Sequence, residues 1–176
     1  MKYKQRNSTA EAVAAMRAAH LLHHQPVVFN DPYALQLTSP ALRRVCQNRF
    51  FGWLLRRNFI SESLRPITAQ VLSRAKYAEE KLEQAVSKGI SQYVIISAGL
   101  DSFCLRRPDF SAGLQIYEID HPATQQIKQK RLMEILGSSP KGVEFLAVDL
   151  EKQTIANALS TSSFLKNEKA FFSWLG

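Results

Sequence analysis

Gln92-Tyr93-Val94-Ile95-Ile96-Ser97-Ala98-Gly99-Leu100-Asp101-Ser102 is the stretch whose reading decides the fold. Its first half is a short β-branched run without polar alternation, the signature of a strand covered on both faces. Its second half places a glycine directly after that strand, where the backbone can turn and approach a ligand closely. Downstream, Leu114 to Ile119 predicts a second strand and Val143 to Val148 a third, and the apolar run Ala170 to Leu175 predicts a fourth. Between them, Pro122 opens a helix to about Leu136, ended by Gly137 and Pro140, and Ile155 to Leu159 suggests a short one. Short apolar strands alternating with helical segments predict βαβ units and a parallel sheet, an α/β fold.

Upstream of Gly89 the pattern is helical. Ser8 or Thr9 can cap a helix with Glu11 in its first turn, and the Ala-rich run continues to Leu22, where His23, His24 and Pro26 end it. Asn30-Asp31-Pro32 is a turn signal, with Pro32 at the first position of a short helix to about Leu37. A second amphipathic stretch is expected from about Ala41 to Leu55, with Phe50, Phe51 and Trp53 as core or partner contacts. Pro66 opens a longer helix to about Lys88, with Gly89 in a C-cap position. The expected organisation is a helical segment over 1–73 and a sheet-bearing segment over 74–176.

Composition bounds the class. The chain has 176 residues, 45% of them hydrophobic, enough to bury a core. No apolar run approaches the ~20 residues needed to span a bilayer, and the N-terminus has no signal-peptide pattern, so a cytoplasmic protein without membrane contact is expected. Cys46 and Cys104 have neither motif spacing nor His/Cys partners nearby and read as buried or idle thiols rather than metal ligands. Of the net charge of +8, residues 1–76 carry +9, from 12 Lys/Arg against 3 Asp/Glu. That basic half, including Arg43, Arg44, Arg49, Arg56 and Arg57, could mark a nucleic-acid surface. No RNP, zinc-finger or helix-turn-helix pattern accompanies it. The solvated face of a helical cap, or attraction of an anionic substrate, is the reading preferred.

In open parallel sheets, ligands bind beyond the carboxyl ends of the strands. Three features share that position: Ala98-Gly99 after the first strand, Glu118-Ile119-Asp120 closing the second and Asp149-Leu150 after the third. A carboxylate at the second place can accept both hydroxyls of a ribose, and one at the third can accept an adenine amino hydrogen. Asp120 and Asp149 have a plainer alternative, as caps of the helices that follow them. There is no phosphate loop and no full G-x-G-x-x-G, which argues against a pyrophosphate ligand. An adenosine-type ligand without phosphates fits S-adenosylmethionine.

Arg74-Ala75-Lys76-Tyr77-Ala78-Glu79-Glu80, Ile95 to Ser102 and Tyr117-Glu118-Ile119-Asp120-His121-Pro122 together resemble the leucine carboxyl methyltransferase family, most closely its bacterial O-methyltransferase branch. Ser8-Thr9-Ala10, Arg17-Ala18-Ala19-His20, Asn30 to Ala34 and Phe172 to Gly176 are similar to further motifs of that branch. The resemblance implies a Rossmann-like class I methyltransferase fold, here the four-stranded start of its parallel sheet, with an N-terminal helical cap. It implies S-adenosyl-L-methionine as cofactor and a carboxyl or hydroxyl group of a small or anionic molecule as methyl acceptor. Carried over by position, Arg74 pairs with the cofactor carboxylate, Ala98 and Gly99 make the close approach, Asp120 takes the ribose, and Asp149 and Leu150 take the adenine. Arg17 and His20 are candidates near the methyl-transfer region, His20 equally a packing histidine, while Asp101 stabilises the loop. Ser97 departs from the family, which often has glycine there.

The resemblance also implies strands and a substrate-selecting insertion beyond Gly176, so a C-terminally truncated chain is expected. In the family's strand order the fourth strand lies beside the first, and its outer edge would be left apolar and unpaired, a route to self-association. The alternative to an enzyme is then a non-catalytic fragment that binds a partner through this edge.

Overall fold

β1 (Gln92–Ile96) is covered along its whole length, and its neighbours explain why. In the computed structural model it lies inside a four-stranded sheet of order β3-β2-β1-β4, with β2 (Gln115–Asp120), β3 (Val143–Ala147) and β4 (Ala170–Trp174). Every pairing is parallel. The structure describes residues 2–56 and 58–175, with side chains described for 8–53 and 65–175. The chain packs as two compact units, Met1–Glu79 with Leu100–Ser102, and Glu80–Gly99 with Phe103–Gly176.

In the sheet unit, strand alternation sorts the side chains. Val94, Ile96, Tyr117, Ile119, Leu146 and Val148 share one face and form a buried cluster with Ala158 and Leu159 of α9 (Ile155–Ser160). The register pairs Val94 with Tyr117 and Ile96 with Ile119, so like faces meet like. Tyr93 and Ile95 point the other way, where Tyr93 meets Phe103 edge-on at 5.2 Å and its hydroxyl bonds Ser173 Oγ at 2.9 Å. α6 (Phe103–Arg106) and α7 (Pro108–Ser111) follow the β1 loop, and α8 (Pro122–Leu136) ends at Gly137 in the left-handed conformation, φ 70°. Gly137 thus closes α8 where expected.

The helical unit departs from expectation in its boundaries. α1 (Lys2–His23) runs straight through Ser8 and Thr9, because nothing in the preceding segment breaks the backbone ladder and a further ladder bond satisfies an amide as well as a cap does. Pro32 does not begin a helix. α2 (Ala34–Leu37) starts two residues later, after Tyr33, and Asp31 shapes the turn ahead of it, its Oδ1 accepting the amides of Tyr33 (3.2 Å) and Ala34 (3.0 Å). The stretch expected as one helix is two, α3 (Pro40–Gln47) and α4 (Arg49–Arg56). Asn48 separates them with an extended backbone, and its Oδ1 takes the amide of Phe50 at 2.8 Å. An asparagine competes for nearby amides and so starts a new helix. Pro66 lies inside α5 (Asn58–Val86) rather than at its start, forfeiting one ladder bond in a helix of 29 residues.

Small residues let these helices approach: Ala14 and Ala18 of α1 are buried, as are Ala34, Leu37, Cys46, Val71, Leu72 and Ala75. Gly52 is needed on α4, since a Cβ there would lie 2.5 Å from the His23 ring. That ring bonds the Cys46 carbonyl through Nε2 at 2.7 Å, and Glu11 accepts the Ser39 amide at 2.8 Å, holding the start of α3. Phe50 and Trp53 stack on each other at 5.5 Å and are 68% and 44% exposed, so neither is a core residue, whereas Phe51 is half-buried.

Candidate functional site

The β1 turn is built from two left-handed residues around one ordinary one. Ser97 and Gly99 both have φ 55°, which costs glycine nothing but strains an L side chain. The strain gives a physical reason for glycine at the Ser97 position. Ala98 between them is buried and donates its amide to the Ile119 carbonyl at 3.2 Å, extending the β1–β2 ladder by one step. Gly99 turns its own amide to Asp120 Oδ2 at 2.5 Å.

Asp120 closes β2, and its other oxygen accepts the His121 amide at 2.6 Å. It does not cap α8: that place is His121, whose Nδ1 accepts the Ala123 amide at 3.3 Å. Each Asp120 oxygen therefore takes one backbone amide and keeps one lone pair for a ligand hydroxyl. The Asp120 carbonyl accepts from Val148 at 2.8 Å, which brings the ends of β2 and β3 together. Asp149 follows there and accepts the Glu151 amide at 3.1 Å, with the Lys152 ammonium 3.5 Å away. That backbone hydrogen bond, then Lys152 and His121, hold its carboxyl below the usual aspartate range against the opposing effect of burial. The cap of α9 is Thr154, not Asp149. Leu150 is partly open to solvent. The sheet unit thus gathers Ala98, Gly99, Asp120, Asp149 and Leu150 at three adjacent strand ends.

Sequence reasoning did not single out what holds these ends in place. Glu118 is fully buried and forms an ion pair with Lys128 of α8, itself fully buried. Gln125 on the same helix donates to the Glu118 carbonyl (2.5 Å) and the Leu146 carbonyl (3.0 Å), clamping β2 to β3. A carboxylate inside an apolar strand is the signal that pointed to a buried cation, because an unpaired buried charge is prohibitive.

Arg74, Arg17 and His20 lie in the helical unit. Arg74 is half-buried on α5. Arg17 is 4% exposed and gives a hydrogen bond to the Leu100 carbonyl at 2.6 Å. His20 is buried, stacks on His24 at 5.7 Å and accepts the Val28 amide at Nε2, 2.9 Å. Burial, and next the neighbouring His24, push its pKa below the usual histidine value. His20 borders a cavity of about 510 Å³ whose walls are mainly apolar, among them Ala15, Met16, Val28 and Leu72, with Arg65 also in the lining. Cys46 lines it too, a thiol whose pKa burial raises, and both Cys46 and Cys104 are buried. Among the described residues, no group of His, Cys, Asp and Glu is arranged to hold a metal ion, and no helix is long and apolar enough to cross a membrane. Of the basic residues, Arg43 is committed to the Leu35 and Gln36 carbonyls (3.2 and 2.7 Å), whereas Arg44 and Arg49 are exposed. Arg57 and the Arg56 side chain lie outside the described residues.

Comparison with known proteins adds to this geometry. The family model described as leucine carboxyl methyltransferase matches residues 10–176. A Bacillus subtilis (strain 168) protein named "Putative S-adenosyl-L-methionine-dependent methyltransferase YktD" is 32% identical over 190 residues, covering 100% of this chain and 62% of the relative. A Mycobacterium sp. (strain MCS) protein, likewise named for S-adenosyl-L-methionine-dependent methyl transfer, is 36% identical over 140 residues, covering 80% of this chain and 54% of its own length. One from Mycolicibacterium smegmatis is 32% identical over 144 residues, 81% of this chain and 47% of the relative. The chain spans about half to three-fifths of the length of these relatives.

Proposed function

The chain belongs to the leucine carboxyl methyltransferase family, and we propose that it carries the cofactor-binding part of an S-adenosylmethionine-dependent O-methyltransferase. The observation that carries the reading is the Asp120 carboxylate, tied to the Gly99 and His121 amides and retaining a lone pair on each oxygen. A ribose diol needs two such acceptors side by side. Gly99 lets the backbone pass close to the ligand, Asp149 stays ionised to accept an amino hydrogen, and Leu150 offers an apolar contact. Arg74 supplies a planar cation for a carboxylate.

Bound S-adenosylmethionine supplies a methyl group already activated on a sulfonium. The tasks left to the protein are positioning the acceptor and excluding water. We assign the acceptor as a carboxylate in preference to a hydroxyl, because a carboxylate needs no general base. His20 is poorly placed to be one: its Nε2 lone pair is taken by the Val28 amide, which leaves the neutral ring with its proton on Nδ1. The apolar cavity lined by His20 and Met16, with Arg65 among its lining residues, suits an acceptor of apolar body and anionic head.

Calorimetric titration with S-adenosylmethionine and S-adenosylhomocysteine tests the reading. Micromolar binding by this chain, lost in Asp120→Ala, is the expected result. No binding by a demonstrably folded chain would reject it and favour a second reading, a binding module. That alternative draws on β4, where Phe172 and Trp174 are 48% and 70% exposed at the edge of the described sheet. Concentration-dependent mass in sizing with light scattering, reduced in Trp174→Lys, would support it.

A further inference from the structure

Leu100, Asp101 and Ser102 belong to neither a helix nor a strand, and the Leu100 carbonyl, the Asp101 carboxylate and the Ser102 hydroxyl each meet a side chain of the helical unit, with which these residues pack. Arg17 of α1 gives its Nη2 hydrogen to the Leu100 carbonyl at 2.6 Å, across 83 residues of chain. Its Nη1 lies 3.7 Å from Asp101 Oδ2, and its Nε lies 3.3 Å from Asp31 Oδ2. The Nε contact is electrostatic only, since its geometry is not that of a hydrogen bond. Asp31 Oδ2 also accepts the Ser102 hydroxyl at 2.7 Å, while its Oδ1 accepts the amides of Tyr33 and Ala34. The Arg17 and Asp31 side chains are 4% and 0% exposed.

Burying an arginine and an aspartate costs several kcal/mol per ion before pairing offsets it. Such a pair raises stability little over an apolar one, but it specifies geometry when its hydrogen bonds are spent on particular backbone groups. Here they are spent on the three residues that follow Gly99. Gly99 is already held on its amide side by Asp120, and glycine in the left-handed region has no side chain to restrict the next peptide. The Arg17 bond to Leu100 supplies that restriction from the other side.

We infer that Arg17, Asp31 and Ser102 form a positioning clamp that sets the peptide after Gly99, so that the affinity of the β1 loop for its ligand depends on α1. This rests on the assignment of Ala98 and Gly99 to cofactor binding. Arg17 is then a positioning residue that touches neither cofactor nor acceptor.

Two readouts on the 176-residue chain test it: amide hydrogen exchange of the segment 97–103 without ligand, and titration with S-adenosylhomocysteine. Arg17→Met should speed exchange at Ala98 and Gly99 at least about tenfold and weaken binding by about tenfold, with exchange in β2 and β3 unchanged. Arg17→Lys, keeping charge but losing the fork, should fall between it and the native chain, and Ser102→Ala should give a smaller increase in the same segment. Weakened binding with unchanged exchange would mean that Arg17 touches the ligand directly and would overturn the clamp. Faster exchange across all of α1 would assign a general folding role and overturn it equally. If Arg17→Met does not fold, Ser102→Ala decides, and unchanged exchange at 97–103 rejects the clamp. A native chain that binds no S-adenosylhomocysteine would defeat the cofactor assignment alone, since the exchange readout stands without it.

Discussion

The two units organise their polar groups in opposite ways. In the sheet unit the candidate ligand-binding groups are placed by the main chain: the Ala98, Gly99, His121 and Val148 amides all bond within one or two residues of a strand end. Once the strands pair in register, these positions follow. In the helical unit no shared backbone ladder joins the elements. Single side chains do the joining, each to a backbone group far along the chain: Glu11 to Ser39, His23 to Cys46, Arg17 to Leu100. The same unit holds a cavity of about 510 Å³, whereas the described sheet is filled on one face by a continuous apolar cluster. A sheet distributes its constraints over many equivalent bonds. A helical assembly concentrates them in a few, and each of those should be individually costly to remove.

In the sheet unit the largest effect is expected at the buried ion pair between Glu118 and Lys128. Lys128→Met leaves the Glu118 carboxylate buried without its cation and should cost about 3–5 kcal/mol in denaturant unfolding. Adding Glu118→Gln should restore at least half of that. A loss under about 1 kcal/mol would show that the sheet tolerates even this change. In the helical unit, Gly52→Ala forces a methyl against the His23 ring and its bond to Cys46. A loss of about 1–3 kcal/mol is expected, although alanine is the better helix former. Unchanged stability would mean that α4 can shift and that no single contact fixes its place.

Smaller effects are expected at His20 and Ser97. The folded-state pKa of His20 lies below its unfolded value of about 6.5, chiefly through burial. The stability it contributes is fully present above about pH 6.5 and drains away as the pH falls through that value toward the folded pKa. Melting at pH 7.5 and pH 5 should therefore show an acid-side loss that His20→Gln reduces, the amide oxygen still able to accept from Val28. An equal loss in both chains would place the acid sensitivity elsewhere. Ser97→Gly should act in the other direction, stabilising the chain by about 0.5–1 kcal/mol through relief of the left-handed backbone. Destabilisation would mean that the serine side chain contributes something its φ does not show.

Much of the sheet was legible because its signals are local. Four apolar runs, the glycine after the first and the acids after the second and third all fall where neighbouring residues alone decide the conformation. Helix boundaries were less legible. Asn48 and Pro66 are each compatible with a start, a break or a continuation, and flanking structure chose among these. As acids near the end of one strand, Glu118 and Asp120 look alike in the sequence and share a face of the pleat, yet one step along that face separates the covered interior from the open strand end. Glu118 is enclosed by α8, and Asp120 sits where β2 ends.

The sequence alone settled the α/β class, the strand segments, a turn with close backbone approach at Gly99 and an acid at each of two strand ends. It could do so because strand and turn preferences act over a few bonds, and because the family motifs occur in order along nearly the whole chain. Tertiary structure alone decided that Lys128 neutralises Glu118 and that Arg17 is spent on Leu100, 83 residues away. It also decided that the His20 lone pair is taken by Val28. These are choices among partners, settled by which groups lose water together, and burial depends on the assembled chain rather than on any segment of it.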